Sequence, residues 1–184
     1  MACRCFPLRR LLPAVALVAC LCSAWAEVPA GGTAAALDAQ HQTLLPALQH
    51  NPYGQALAIQ SSQTDSTLQG DIYAELDFGF AELSEALSSP AHWCDILILH
   101  INTKACHAVQ RSGTNVLQVF VGKKTPQDPA SASRLDFLYR TLAADPAWLA
   151  IDLSAANGPL GTHDYRITLE AIPLSDTRSF FHLR

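Results

Sequence analysis

The stretch AHWCDILILHINTKACHAV, residues 91–109, decides how this chain is expected to fold, because it carries two cysteines twelve positions apart. Those cysteines are Cys94 and Cys106. Four side chains of the stretch recur at i, i+3, i+4 and i+7, which is the spacing of one helical face. They are Trp93, Ile96, Leu97 and His100. The spacing predicts a helix over the first half of the stretch, with His100 on its buried face.

The ends of this helix are also marked in the sequence. Ser89 can cap it, and Pro90 suits its first position, where a missing N–H costs nothing. We predict that it stops near Ile101 and that residues 102–104 form a turn. A strand from 95 to 106 would separate its ends by roughly 35 Å, because a strand rises about 3.3 Å per residue. A disulfide needs Cα atoms within about 7 Å. The helix and turn therefore bring the two cysteines together.

We predict a structural disulfide between these two cysteines. A zinc site would need four ligands, and His92, His100 and His107 do not form a C-x-x-C or H-x-x-x-H arrangement with them. A catalytic thiol would need one free cysteine, and the second cysteine argues against that. Two lone cysteines in an oxidising compartment more often pair than stay free.

On both sides of this stretch the chain reads mostly as strands. In Gly70–Phe78 the apolar side chains alternate with polar ones, which predicts a half-buried antiparallel strand with Asp71 and Tyr73 on its solvated face. A further helix begins near Gly79 and ends at residues 88–90, because Phe80, Leu83 and Leu87 recur at helical spacing. The remaining predicted strands are separated by turn residues; they span 55–63, 116–121, 135–142, 148–153, 165–171 and 178–184. The order predicts an α+β fold, a curved antiparallel sheet with two short helices after the first strands.

The N-terminal 26 residues have the pattern of an export signal. Arginines occur only before an apolar run at 11–22, and Ala24 and Ala26 form the A-x-A pattern that signal peptidase reads. The run is about 12 residues long, whereas a membrane-spanning helix needs roughly 20. Leu17–Cys20 resembles a lipobox, so processing at Cys20 with lipidation is the alternative. We predict a periplasmic or secreted protein, or else a lipoprotein anchored through Cys20, with no other membrane contact.

Removal of the signal changes the formal charge of the protein and leaves enough residues for one domain. Basic residues fall from 12 to 9 while 16 acidic residues remain, so the formal charge changes from −4 to −7. An acidic domain without a basic face argues against nucleic-acid binding. Residues 27–51 are rich in Ala, Gly and Gln and predict a spacer with a marginal helix interrupted by Pro46. One α+β domain is then expected over 52–184.

Three segments of the predicted domain resemble a known family. GDIYA at 70–74, PAHWCDIL at 90–97 and GPLGTHDYRI at 158–167 resemble a family of uncharacterised, exported bacterial proteins of START-like type, also called SRPBCC or Bet v 1-like. The resemblance covers roughly residues 52–184 and implies a helix-grip fold, whose curved sheet encloses an apolar cavity. The C-terminal helix that closes this fold in the superfamily is not found before Arg184, so the domain is expected to be truncated or open on one side.

The resemblance implies a function class without an activity. We expect an exported binding or carrier domain for a hydrophobic or lipid-like small molecule, with no cofactor and no metal. The alternatives are a cyclase or hydrolase acting in the same cavity, or an envelope structural or interaction protein. The candidate ligand-binding residues are Trp93, His163, Asp164 and Arg166.

Each candidate also has a plainer interpretation. Large aromatics such as Trp93 are core by default in a small domain, and polar residues in a hairpin loop usually satisfy the turn. A further charged set could line a polar cavity floor and hold a ligand carboxylate, or could form cross-strand pairs on a solvated face. It comprises Arg140, Asp152, Arg166 and Glu170. No catalytic residue is predicted, because no nucleophile accompanies His163 and Asp164 at a recognisable spacing.

Overall fold

The computed structural model describes residues 32–184, so the predicted signal segment and Cys20 lie outside the described residues. Three helices and eight strands follow one another in the described part. The helices are α1 (Ala34–Gln49), α2 (Phe80–Leu87) and α3 (Pro90–Leu97). The strands are β1 (Leu57–Gln63), β2 (Leu68–Leu76), β3 (Thr103–Arg111), β4 (Thr114–Val121), β5 (Ser133–Asp145), β6 (Trp148–Asn157), β7 (His163–Ser175) and β8 (Arg178–Leu183).

All eight strands belong to one antiparallel sheet with the order β1-β2-β8-β7-β6-β5-β4-β3. Strands β3 to β8 form a meander, and β8 returns to pair with β2 from the first hairpin. The sheet is curved and unclosed, with β1 and β3 as its two edges. The α+β prediction, with two short helices between the first hairpin and the long meander, is therefore confirmed.

Helices α2 and α3 cover one face of the sheet, which we call the inner face. Its core combines residues of β4 to β7 with Phe80, Leu87 and Trp93 of the two helices. The Leu87 carbonyl near the end of α2 accepts hydrogen bonds from Trp93 Nε1 (2.8 Å) and Tyr139 Oη (3.0 Å). These two buried donors satisfy a helix-end carbonyl and join the α2–α3 corner to β5.

The disulfide prediction is confirmed. Cys94 on α3 and Cys106 on β3 are bonded, with their Cα atoms 5.2 Å apart. Helix α3 ends at Leu97, four residues before the predicted end near Ile101. The backbone turns over residues 98–102, and His100 is exposed instead of lying on a buried helix face. The reversal needed for the disulfide therefore begins earlier than the apolar spacing indicated.

Helix α1 corrects the prediction of a spacer before residue 52. It is a continuous helix whose N-terminus is capped by Thr33, since the Thr33 hydroxyl accepts a hydrogen bond from Ala36 N. Its buried side chains recur every three to four residues and pack on the opposite, outer face of the sheet; they are Leu37, His41, Leu44 and Leu48. Pro46 lies in the last turn, where it does not end the helix. Its Ala, Leu and Gln residues favour a helix locally, and burial against the sheet stabilises it further.

Helix α1 is also held by a cluster of polar contacts. His41 Nε2 lies 2.6 Å from Glu75 Oε1 of β2, and the other oxygen of Glu75 pairs with Arg178 of β8. The ring of Phe180 lies 4.5 Å from the His41 ring. One carboxylate therefore links the helix to two neighbouring strands.

Candidate functional site

Three of the four predicted ligand-binding residues line one cleft. His163, Asp164 and Arg166 lie at the start of β7, facing Leu68–Gly70 of β2 across a volume of about 650 Å³, and Arg184 lies between them. The cleft exists because β2 and β7 continue past the end of β8, whose last register pairs join Leu183 to Ile72 and Leu169. The cleft lies between β2 and β7, in the position that β8 would occupy if it were longer.

Trp93, the fourth predicted residue, does not join this cleft. Only 2% of its surface is exposed, and its ring packs edge-on against Tyr139 in the core. Its Nε1 donor is already used by the Leu87 carbonyl. Trp93 is therefore a core residue here, and the structure leaves it no surface for a ligand.

The polar side chains of the cleft are exposed and largely paired with one another. His163 Nδ1 lies 2.7 Å from Asp164 Oδ2, and both side chains are more than two-thirds exposed. Within the described residues His163 has no hydroxyl or thiol hydrogen-bond partner. This pair can accept or donate a proton in the cleft, but the structure places no nucleophile beside it.

Arg166 belongs to a cross-strand network on the outer face. Asp152 of β6 is buried and lies 2.6 Å from Arg140 Nη2 of β5 and 3.6 Å from Arg166 Nε of β7. The three side chains match the interpretation of cross-strand pairing on the sheet. Glu170, the fourth member of the predicted set, lies apart from them beside His182.

The sequence did not predict a buried polar cluster that lies beneath the cleft. Asp71 of β2 accepts hydrogen bonds from His182 Nε2 (2.7 Å), Arg184 Nε (2.7 Å) and Gln69 Nε2 (2.9 Å). Asp71 and Tyr73 were predicted on a solvated face, but both are about 5% exposed. The alternation of β2 was read correctly, but its outer face is covered as well: α1 packs near Tyr73, and His182 and Arg184 cover Asp71.

The pKa values of two carboxyl groups, Asp71 in this cluster and Glu170 beside His182, are shifted in opposite directions. Burial disfavours the charge on Asp71, but the hydrogen bonds from Gln69, Arg184 and His182 outweigh it and hold the pKa of Asp71 below its ordinary value. Burial raises the pKa of Glu170, and the nearby His182 offsets this only in part. The cluster thus keeps one carboxylate charged and disfavours charge on the other.

Replacing Asp71 by asparagine is expected to lower the free energy of unfolding by about 1–3 kcal/mol at neutral pH, the usual range for buried charged hydrogen bonds. Because the folded pKa of Asp71 is depressed, its contribution is present above the ordinary carboxyl pKa and is lost as pH falls through the folded value. Urea unfolding across acidic pH should therefore show the difference from wild type shrinking. Asp77→Asn is the matched control, since the Asp77 side chain is 97% exposed. A constant difference at every pH would contradict this account.

The inner face offers a second, apolar candidate site. A row of side chains in register crosses five strands from β6 to the β1 edge; it consists of Ile151, Leu169, Leu183, Ile72 and Ile59. Exposure rises along this row, from 1% at Ile151 and 6% at Leu169 to 49% at Ile59. We call these five residues the apolar row. Helices α2 and α3 cover its β6 end and leave its β1 end open.

The comparisons with known proteins do not extend these observations. Neither a protein-family model nor a curated protein matches this chain. Within residues 32–184 no helix is long and apolar enough to cross a membrane. The same residues contain no group of three or more histidine, cysteine, aspartate or glutamate side chains placed to hold a metal ion.

Proposed function

We propose that this chain is an exported domain of START-like, helix-grip type that binds a hydrophobic, lipid-like small molecule along the open part of its inner face. The order of elements supports the fold type: a hairpin, two short helices and an antiparallel meander whose last strand returns to the first hairpin. The disulfide supports export, because such bonds persist in oxidising compartments.

The proposal of a hydrophobic ligand rests on the increase in side-chain exposure along the apolar row. Beneath α2 and α3 the inner face is filled, since Leu117, Leu149 and Leu153 are fully buried. A ligand therefore has no room under the two helices. Toward β1 the same row is open, and apolar surface of this kind gains free energy when it is removed from water, at about 25 cal/mol per Å². An elongated apolar molecule lying across β8, β2 and β1 would cover it.

The cleft at His163 gives less support to the alternative of a cyclase or hydrolase. Its imidazole–carboxylate pair is exposed, and no hydroxyl or thiol of the described residues lies in hydrogen-bond contact with the ring. An enzyme using this pair would have to take its nucleophile from the substrate or from water. The apolar row needs no such addition in order to bind.

Replacing Ile59 by glutamate is expected to weaken binding of a fluorescent long-chain fatty acid at least about tenfold, because a charge would then face the apolar ligand. Fluorescence titration of the exported protein measures this directly. Leu138→Glu is the matched control, because Leu138 is similarly exposed (46% against 49%) but alternates with the inner-face residues of β5 and lies on the outer face. Equal loss in both variants, or no binding by the native protein, would refute the proposed site.

A further inference from the structure

The end of α3 and the turn that leads to β3 expose several large apolar side chains. Their exposed fractions are 82% at Leu99, 61% at Ile101, 45% at Ile96 and 44% at Ile98. Four such residues lie within six positions, and we call these four residues the tip. Exposed apolar patches of this kind mark surfaces that meet a partner or a membrane.

The tip is bordered by all the lysines of the chain. The sequence has three, Lys104, Lys123 and Lys124. The Lys104 ammonium donates a hydrogen bond to the Ile101 carbonyl (3.0 Å). Lys123 and Lys124 follow Gly122, whose N–H donates to the Asn102 carbonyl (2.8 Å), so the β4–β5 connection lies directly beside the tip.

Basic side chains predominate around the tip, although Asp95 and Asp128 flank the segment that carries it. From residue 96 to residue 127 the sequence contains no aspartate or glutamate, although the chain as a whole has 16 acidic residues and a formal charge of −4. Besides the three lysines, Arg111 is the only other charged residue in that segment apart from histidines. An apolar tip with a basic border on an acidic protein favours an anionic partner.

We propose that the tip docks on the surface of an anionic lipid bilayer, with Leu99 and Ile101 inserted at the head-group level and the lysines against lipid phosphates. Apolar side chains that enter the interface and basic side chains that bind anionic head groups add their contributions in this mode of binding. A protein partner fits less well, since a stable interface needs roughly 800 Å² from each side. Four exposed aliphatic side chains at the end of α3 and on the turn after it present much less.

This inference goes beyond the proposed function and does not depend on it. The tip residues are not members of the apolar row, and the proposal concerns a peripheral contact, distinct from a spanning helix. If both proposals hold, the chain would meet the membrane at one end of α3 and hold its ligand on the inner face.

Co-sedimentation with vesicles tests the proposal. The exported protein is expected to bind vesicles of phosphatidylethanolamine and phosphatidylglycerol and to bind vesicles of phosphatidylcholine alone much more weakly. Replacing the three lysines by glutamine should lower partitioning on the order of 100-fold, because each lysine near an anionic surface contributes roughly fivefold. Leu99→Ser should lower it about tenfold. Added salt should weaken native binding, because it screens the lysine–phosphate attraction.

Leu160→Ser is the matched control, since Leu160 is a fully exposed leucine outside the tip and its loss should leave partitioning unchanged. Equal binding to both kinds of vesicle, or equal losses in Leu99→Ser and Leu160→Ser, would overturn the proposal. So would a change in self-association of the tip variants without a change in vesicle binding, because a second copy would then be the partner. Fatty-acid titration of Leu99→Ser is expected to match wild type, so a failed tip and a failed ligand site give different results.

Discussion

Replacing Trp93 by alanine is expected to lower the free energy of unfolding by about 3–5 kcal/mol, the range measured for large aromatic side chains removed from a core. Trp93 is 2% exposed and contacts Tyr139, and its Nε1 satisfies the Leu87 carbonyl. The truncation would leave a cavity between α3 and β5 and a buried carbonyl with only Tyr139 as donor. Thermal or urea unfolding followed by circular dichroism measures the loss.

A second substitution separates packing from hydrogen bonding at the same position. Trp93→Phe keeps most of the apolar volume but removes the Nε1 donor, so a smaller loss of about 1–3 kcal/mol is expected. Both variants should lose stability while fatty-acid binding by the folded fraction is retained. If Trp93→Ala instead kept full stability and lost ligand binding, the tryptophan would be a ligand contact and its assignment to the core would be wrong.

Removing the disulfide is expected to lower the free energy of unfolding by about 3 kcal/mol, because the closed loop of about twelve residues would no longer restrict the unfolded chain. For a domain of this size the melting temperature should fall by roughly 6–12 °C. The double variant Cys94→Ala, Cys106→Ala tests this, and reduced wild-type protein is its control. Both should melt at nearly the same temperature.

The position of the disulfide predicts that its removal will loosen the structure most at one edge of the sheet. It joins α3 to the edge strand β3, directly before and after the tip. Hydrogen exchange in β3 should therefore rise more than in the central strands β6 and β7 when the bond is absent. An unchanged melting temperature on reduction would show that the bond contributes nothing to the fold.

The main outlines of the fold were predictable because they depend on short-range patterns. Alternation with period two in Gly70–Phe78 predicted a strand, and helical spacing predicted α2 and α3. The disulfide followed from the same reasoning, since a helix and a reversal bring Cys94 close to Cys106, whereas one extended strand would hold them apart. Element boundaries were less accurate: β2 begins at Leu68, and α3 ends at Leu97.

The candidate sites were predicted only in part. His163, Asp164 and Arg166 share a cleft, which their closeness in sequence already made probable on geometric grounds. Trp93 is separated from them because it lies on the buried side of α3, packed against Tyr139 of β5. No local pattern distinguishes a buried tryptophan from one beside a ligand. The Asp71–His182 contact joins residues 111 positions apart in sequence. Only the return of β8 to β2 places those two side chains together.

The sequence by itself determined two of the three helices, seven of the eight strands, their order and the pairing of the two cysteines, because periodicity, caps and turns act over a few residues. It did not predict strand β3 or the packing of α1. Tertiary structure alone decided which faces those elements bury. Helix α1 is rich in good helix formers, but only its packing on the outer face buries His41 against Glu75 of β2. The turn after α3 is strongly apolar, yet it stays exposed, because no described element covers it. Burial depends on contacts between segments far apart in the chain, and no short stretch of sequence encodes them.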